Sequence, residues 1–302
     1  MVGTIHTLEE SQLAAVGRFY SSAVMQELAR WGRSPLLGRL LRESSLCDFV
    51  TASEPIRRIF DYGLKLLTRN GYRQEYVYKE ILTRRILLGA HSLRTAVMLS
   101  EFRVGHCKAD IVILNGTSTV YEIKSERDRL DRLAGQLDAY LQVFARVNVV
   151  AGANHVAQVL KSVPEQVGVL MLSDRLSIST VRAATEDIGR IVPAAVFDSL
   201  QLHETAKVLQ RLGVRPPMVP NTELHQALRD RFVTLAPQAL HRAMIQVLRS
   251  TRSQARLAPL IDALPSSLWA AALCTPLRQA DHSRIIAAVN ASVQEARAWA
   301  VC

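Results

Sequence analysis

Between Lys108 and Lys124 the chain reads KADIVILNGTSTVYEIK, two apolar runs joined by Asn115-Gly116. An Asn-Gly pair between runs rich in β-branched residues turns the backbone tightly enough for the arms to pair antiparallel. Both arms are apolar almost throughout (Ile111, Val112, Ile113, Leu114; Val120, Tyr121, Ile123), the pattern of strands covered on both faces. This segment predicts the centre of a sheet with helices packed against it.

The ends of the two arms are charged. Asp110 opens the first, while Glu122 and Lys124 close the second two residues apart, which puts both on one face of a strand. Antiparallel pairing would bring Asp110 beside Glu122. Neighbouring carboxylates raise each other's pKa unless a cation lies between them. Mg²⁺ (or Mn²⁺) suits the place, being hard and satisfied by one or two carboxylates plus water and substrate phosphate. Asp110, Glu122 and the backbone carbonyl of Ile123 are the expected ligands. Lys124 would neutralise a scissile phosphate and orient the attacking water, so the chemistry predicted is phosphodiester hydrolysis. Acid-x-Lys triplets are also common on solvated strand edges, and the apolar context is what argues against that explanation here.

The next segment, SERDRLDRLAGQLDAYLQVFARV, predicts an amphipathic helix with Leu130, Leu133, Leu137, Leu141 and Phe144 in one stripe. Arg129, Arg132, Gln136 and Tyr140 fall beside the stripe as a polar ribbon. Its arginines would hold phosphates, and Gln136 with Tyr140 would contact the strand being cut. Pairing of the arginines with Asp128 and Asp131 on an ordinary helix explains Arg129 and Arg132 as well, but Gln136 and Tyr140 less so.

The order Asp110, Glu122-x-Lys124, then a helix carrying QLDAY resembles the PD-(D/E)XK nuclease superfamily, and the QxxxY helix is similar to that of its RecB-like branch. The wider pattern YVYKEIL, KADIVILNG, YEIKSERDRLDRLAGQLDAY and VNVVAG resembles a family of bacterial and phage proteins with this fold, of largely unassigned function. The likeness runs from about Tyr72 to Ser179. It implies an α/β (α+β) restriction-endonuclease-like core, αβββαβ, with a central mixed sheet flanked by helices. It also implies Asp110 and Glu122 as metal ligands, Lys124 as the catalytic lysine, and Gln136 and Tyr140 as substrate-side or supporting residues. A further acid is usual on the first core helix, and within YRQEYVYKEILTRRILL we choose Glu80 over Glu75. An i,i+4 pair of Glu80 with Arg84 explains that residue equally well. Glu101, at the end of AVMLSEF, is another supporting acid. A place in a phage or defence system is implied by the resemblance alone.

At 302 residues and 49% hydrophobic the chain can bury a full core. A net charge of +10, largely from arginine, favours a polyanionic partner: DNA first, with RNA open. No apolar run approaches the roughly 20 residues that span a bilayer, and MVGTIHTLEESQ lacks a signal-peptide pattern, so a cytoplasmic protein without a membrane partner is expected. Cys47, Cys107, Cys274 and Cys302 lie too far apart for a zinc or iron-sulfur site. Among scattered histidines His106, four residues before Asp110, most merits mutation. Without a glycine-rich phosphate loop or GxSxG, no ATP use is expected.

Three regions follow: an N-terminal helical segment over 1–70, the nuclease-like core over 71–180, and a C-terminal helical region over 181–302. LAAVGRFYSSAVMQELARWG should be helical and stop at Gly32, with Arg39 and Arg42 adding basic charge beyond it. VGVLML and LSIST predict a late pair of strands about Ser173-Asp174. A linker is expected near Val214 to Asn221, and the C-terminal helices should serve packing, self-association into a homo-oligomer or docking of a partner protein. The leading expectation is a metal-dependent deoxyribonuclease. The alternative is a catalytically silent nuclease-fold module that binds nucleic acid or a partner protein.

Overall fold

Serines mark where two of the N-terminal helices begin. In the computed structural model, which describes residues 8–69 and 73–301, the chain forms α1 (Glu10–Arg18), α2 (Ser22–Trp31), α3 (Pro35–Ser44), α4 (Arg57–Leu67) and α5 (Glu75–Leu82). The expected long helix is two helices. Ser21 accepts the Val24 amide at 3.4 Å and restarts the chain as α2, which does stop at Gly32 in the left-handed conformation, φ 67°. Ser34 caps α3 through the Leu37 amide at 2.9 Å, with Pro35 in the first turn. The expectations for the first seven residues, for Tyr72 and for Cys302 lie outside the described residues.

After α5 comes a π-helical turn, Thr83–Leu87, and the short α6 (Leu88–Ala90). A six-stranded sheet follows in the order β1 (Val97–Val104), β2 (Cys107–Leu114), β3 (Ser118–Lys124), β4 (Arg146–Gly152), β5 (Gly168–Leu172) and β6 (Ile178–Arg182). Pairing is antiparallel for β1–β2, β2–β3 and β5–β6, and parallel for β3–β4 and β4–β5. The hairpin turns at Asn115-Gly116 as expected, with Gly116 at φ 121°, a value that only glycine adopts readily. Parallel pairing of β4 requires a crossover, which α7 (Leu133–Leu141) supplies; α8 (Ala153–Ser162) carries the chain from β4 to β5. Val112, Leu114 and Val120 of the hairpin share one buried core with Val147 and Val149 of β4 and Leu133, Leu137 and Tyr140 of α7. The architecture is mixed α and β, with helices flanking the sheet.

The helices α9 (Pro193–Ser199), α10 (Leu202–Arg211), α11 (Asn221–Phe232) and α12 (Pro237–Thr251) add Phe197, Val208, Phe232 and Met244 to that same core. An ion pair locks α10 to α12. Glu204, 1% exposed, accepts Arg252 Nε at 2.8 Å and Nη2 at 2.7 Å, and Thr251 Oγ1 at 3.0 Å. Burial by itself would raise the Glu204 carboxyl, but Arg252 and the Gln201 amide hold it below its ordinary range. Arg252 also lies 5.2 Å over the Phe102 ring of β1. Arg252→Ala would leave Glu204 charged and buried, and is expected to lower stability by about 3 kcal/mol, within the range for a broken buried pair. Because the folded carboxyl is the more acidic one, the contribution of Glu204 is present above its unfolded pKa and lost as pH falls through the folded value. Denaturant titration of the variant at neutral and acid pH checks both effects.

The chain forms two compact units, Met1–Arg84 with Arg256–Cys302, and Arg85–Ala255, which corrects the division at 70 and 180 expected from composition. Residues 181–302 are not one helical region. The irregular segment at 214–220 joins α10 to α11 inside a single unit rather than linking two domains. The last helices, α13 (Ala258–Ala263), α14 (Trp269–Cys274), α15 (His282–Asn290) and α16 (Val293–Ala298), belong with α1–α5 because their apolar faces close there. α14 packs on α2 and α5, and α15 on α2. Backbone hydrogen bonds from Ile56 N–H to the Ala291 carbonyl and from Val293 N–H to the Glu54 carbonyl, both 2.9 Å, fasten the two segments.

Candidate active site

Every residue of β3 is buried, so Glu122 and Lys124 must find partners inside the protein. Alternation along the strand sends both toward α7, and the partners come from that helix. Lys124 Nζ donates to Glu122 Oε1 at 2.8 Å and to Gln136 Oε1 at 3.0 Å. The Tyr140 hydroxyl lies 3.0 Å from Glu122 Oε2 and 2.8 Å from the Lys108 carbonyl, its one proton shared between two acceptors. Gln136 and Tyr140, four residues apart on α7, hold the lysine and the glutamate respectively.

The ladder between β2 and β3 ends at Ile111↔Tyr121, and its register puts Asp110 opposite Glu122. Beyond that point the Ile123 N–H is accepted by Asp110 Oδ2 at 2.7 Å, so the carboxylate serves an amide that the ladder leaves behind. On the other side of Asp110, Glu101 sits between the pairs Ser100↔Ile111 and Phe102↔Ala109. Its carboxylate comes within 4.8 Å of that of Asp110. Glu101 has φ 52°, a left-handed conformation that costs a residue with a Cβ about 1–2 kcal/mol. Asp110 and Glu101, midway along β2 and β1, thus gather with the Glu122–Lys124 pair where β3 and its ladder to β2 end.

Burial raises the Glu122 carboxyl above its ordinary value, opposed by Lys124 and by hydrogen bonds from Tyr140 and Gln136. The Tyr140 phenol is driven well above the normal range by burial and then by the charges of Glu122 and Asp110. It is therefore a permanent hydrogen-bond donor at any working pH, and cannot act as a base.

Other expectations need correction. The helix after β3 begins only at Leu133, leaving Arg129 and Arg132 outside the polar ribbon. Asp128 accepts both the amide and the hydroxyl of Ser125 at 2.7 Å, which closes a turn where the helix was expected. The Ser-x-x-Asp spacing was the signal for it. Arg129 pairs with Asp131 at 2.7 Å in solvent, and Arg132 is exposed at the start of α7. Tyr140 is fully buried, so it supports Glu122 and does not reach a substrate. The Ile123 N–H donates to Asp110 Oδ2 at 2.7 Å, which leaves its carbonyl, the expected metal ligand, unaffected. Glu80 lies in the first unit, 1% exposed, accepting the Ala270 amide at 3.0 Å and facing Arg84 at 3.6 Å, the i,i+4 pair anticipated for it. His106 is exposed in the β1–β2 turn, and Cys47, Cys107 and Cys274 form no disulfide among the described residues. No helix among the described residues is long and apolar enough to cross a membrane.

A family described as Bacteriophage P4 protein cII matches residues 68–261, which include the whole sheet and every member of this cluster. Protein cII of Enterobacteria phage P4 is 34% identical over 101 residues, covering 33% of this chain and 38% of that protein. The chain therefore spans less than two-fifths of that relative. No solved structure matches.

Proposed function

The chain belongs to the Bacteriophage P4 protein cII family, and from that premise we propose that its sheet unit is a restriction-endonuclease-like core acting as a metal-dependent deoxyribonuclease of the PD-(D/E)XK kind. One observation carries the reading: a buried Glu122–Lys124 pair, secured by Tyr140 and Gln136, stands opposite Asp110 where the β2–β3 ladder ends. Replacing such a pair by apolar residues is often neutral or stabilising, so stability alone is a weak reason to keep it. Phosphodiester hydrolysis needs these groups together.

The donor chemistry fits Mg²⁺ or Mn²⁺. Asp110 and Glu122 offer hard carboxylate oxygens, and burial already presses on Glu122 in the direction that a bound cation would reverse. Asp110 and Glu122 would hold the ion, joined by the carbonyl of Ile123, and it would supply Lewis-acid polarisation of a phosphoryl oxygen and a more acidic water. Lys124 contributes positive charge beside the phosphate. Gln136 fixes the direction of the ammonium, and Tyr140 prevents Glu122 from turning away. Glu101 adds negative charge next to Asp110 and strengthens the attraction for a cation. A role for Glu80 rests on the resemblance alone, because its hydrogen bonds serve the first unit.

A second reading has its own support. Both Glu122 oxygens and two donors of Lys124 are satisfied internally, as in a purely structural pair, which suits a silent module that binds nucleic acid without cutting it. The purified chain should be incubated with single-stranded, double-stranded and branched DNA and with RNA, in Mg²⁺ or Mn²⁺, beside Glu122→Gln and Lys124→Met. Metal-dependent products lost in both variants are the expected result. Salt-sensitive binding that leaves every substrate whole would establish the second reading instead.

A further inference from the structure

The last turns of α10 and α12 converge on the turn at 93–96 that leads into β1, and together they line an open surface hollow of about 290 Å³. Its polar lining is Arg94, Arg211, Arg249, Gln246, Ser250 and Ser253, with no acid among them. Arg211 Nε donates to Gln246 Oε1 at 2.5 Å. Arg94 and Arg249 have no carboxylate partner among the described residues. Arginine in the last turn of a helix complements the helix dipole, which accounts for Arg211 and Arg249. It does not account for Arg94, which comes from a turn, nor for three guanidinium groups sharing one hollow. Like charges gathered in a concavity repel one another unless an anion offsets them.

We propose that this pocket binds a backbone phosphate of a nucleic-acid strand. Guanidinium forks match phosphate oxygens bidentately, and the Ser253 hydroxyl and the Gln246 amide N–H add donors with no competing carboxylate, while the Ser250 hydroxyl is spent on the Val247 carbonyl at 2.8 Å. The volume suits one phosphate with its attached sugar. Position separates the pocket from the candidate active site: it adjoins Val97, the register partner of Leu114 at the last residue of β2, whereas Asp110 lies midway along that strand. Four residues, roughly 13 Å, separate Leu114 from Asp110. A strand reaching both would be anchored here while being presented to Asp110 and Lys124, so the proposal rests on the reading above for the carrier of the phosphate, though not for the anion.

The test uses the full chain in EDTA, so that nothing is cut, with a fluorescein-labelled single-stranded oligonucleotide read by anisotropy. Arg94→Gln/Arg249→Gln is compared with Arg175→Gln/Arg242→Gln, which removes the same charge from exposed arginines outside the pocket. Calorimetric titration with pyrophosphate runs in parallel. The pocket variant should bind DNA about tenfold more weakly, with the salt slope reduced by about 2, and should lose pyrophosphate binding, while the control variant stays near wild type. Equal losses in both variants, or no loss in either, overturn the proposal. Pyrophosphate binding lost with DNA affinity unchanged overturns the nucleic-acid assignment. Pocket-dependent DNA binding in a protein that never cleaves supports this inference and sinks only the nuclease reading.

Discussion

Lys124→Ala is expected to lower the stability of the sheet unit by about 3–5 kcal/mol and, under the proposed nuclease function, to abolish metal-dependent cleavage. The large cost follows from what the substitution leaves behind. Glu122, 1% exposed, would keep only the neutral donors of Tyr140 and Gln136, and its carboxyl, already raised by burial, would lose the opposing charge of Lys124. Gln136 would lose its bond to the ammonium at the same time. A neutral pair of similar volume, Glu122→Gln with Lys124→Met, should recover most of the stability while remaining inactive, because no charge is then stranded. All three tryptophans (Trp31, Trp269 and Trp299) belong to the other unit, so the loss must be followed by circular dichroism. A Lys124→Ala protein within 1 kcal/mol of wild type would show that the pair does not hold β3 to α7.

The same distribution of tryptophans makes the first unit directly visible, and there Glu80 is expected to make stability fall as pH rises. Burial pushes its carboxyl up to about 8 from an ordinary 4.5, opposed by the Ala270 amide and by Arg84. Tyr20 and Tyr76, stacked with ring centroids 4.3 Å apart, are both raised, first by burial and then by nearby carboxylates, Glu80 among them. With the folded pKa above the unfolded one, the native state holds the extra proton between those values. Stability is then full below the unfolded pKa, declines by about 1.4 kcal/mol per pH unit through the interval, and levels off above the folded value. Tryptophan-monitored unfolding between pH 5 and 9 should show this slope in the wild type and a nearly flat line in Glu80→Gln. Parallel slopes in the two proteins would mean that Glu80 is not the proton holder.

Much of the sheet was legible beforehand because its signals are local. The Asn115-Gly116 turn, the alternation that pairs Glu122 with Lys124 on one face, and the left-handed stop at Gly32 each depend on a few adjacent residues. The late strands around Ser173 and the approach of Gln136 and Tyr140 to the acid-lysine pair were likewise accessible, although the sequence did not reveal which way those two side chains are spent. They support Lys124 and Glu122. The start of α7 was misread because a hydrophobic stripe at helical spacing continues through Leu130, while Asp128 bonding back to Ser125 overrides it. Local competition between side chain and backbone decided that boundary.

Sequence alone determined the pairing of the central hairpin and the placing of Glu122 and Lys124 on one face of its second strand, since period-two alternation and a turn are written within a few residues. Only the tertiary structure decided that Glu101 joins Asp110, that residues 256–302 close on the first helices, that Glu204 clamps α10 to α12, and that three distant arginines share one hollow. Each of these depends on which apolar face is buried against which, a choice made by the total surface removed from water across the molecule rather than by any short stretch of chain.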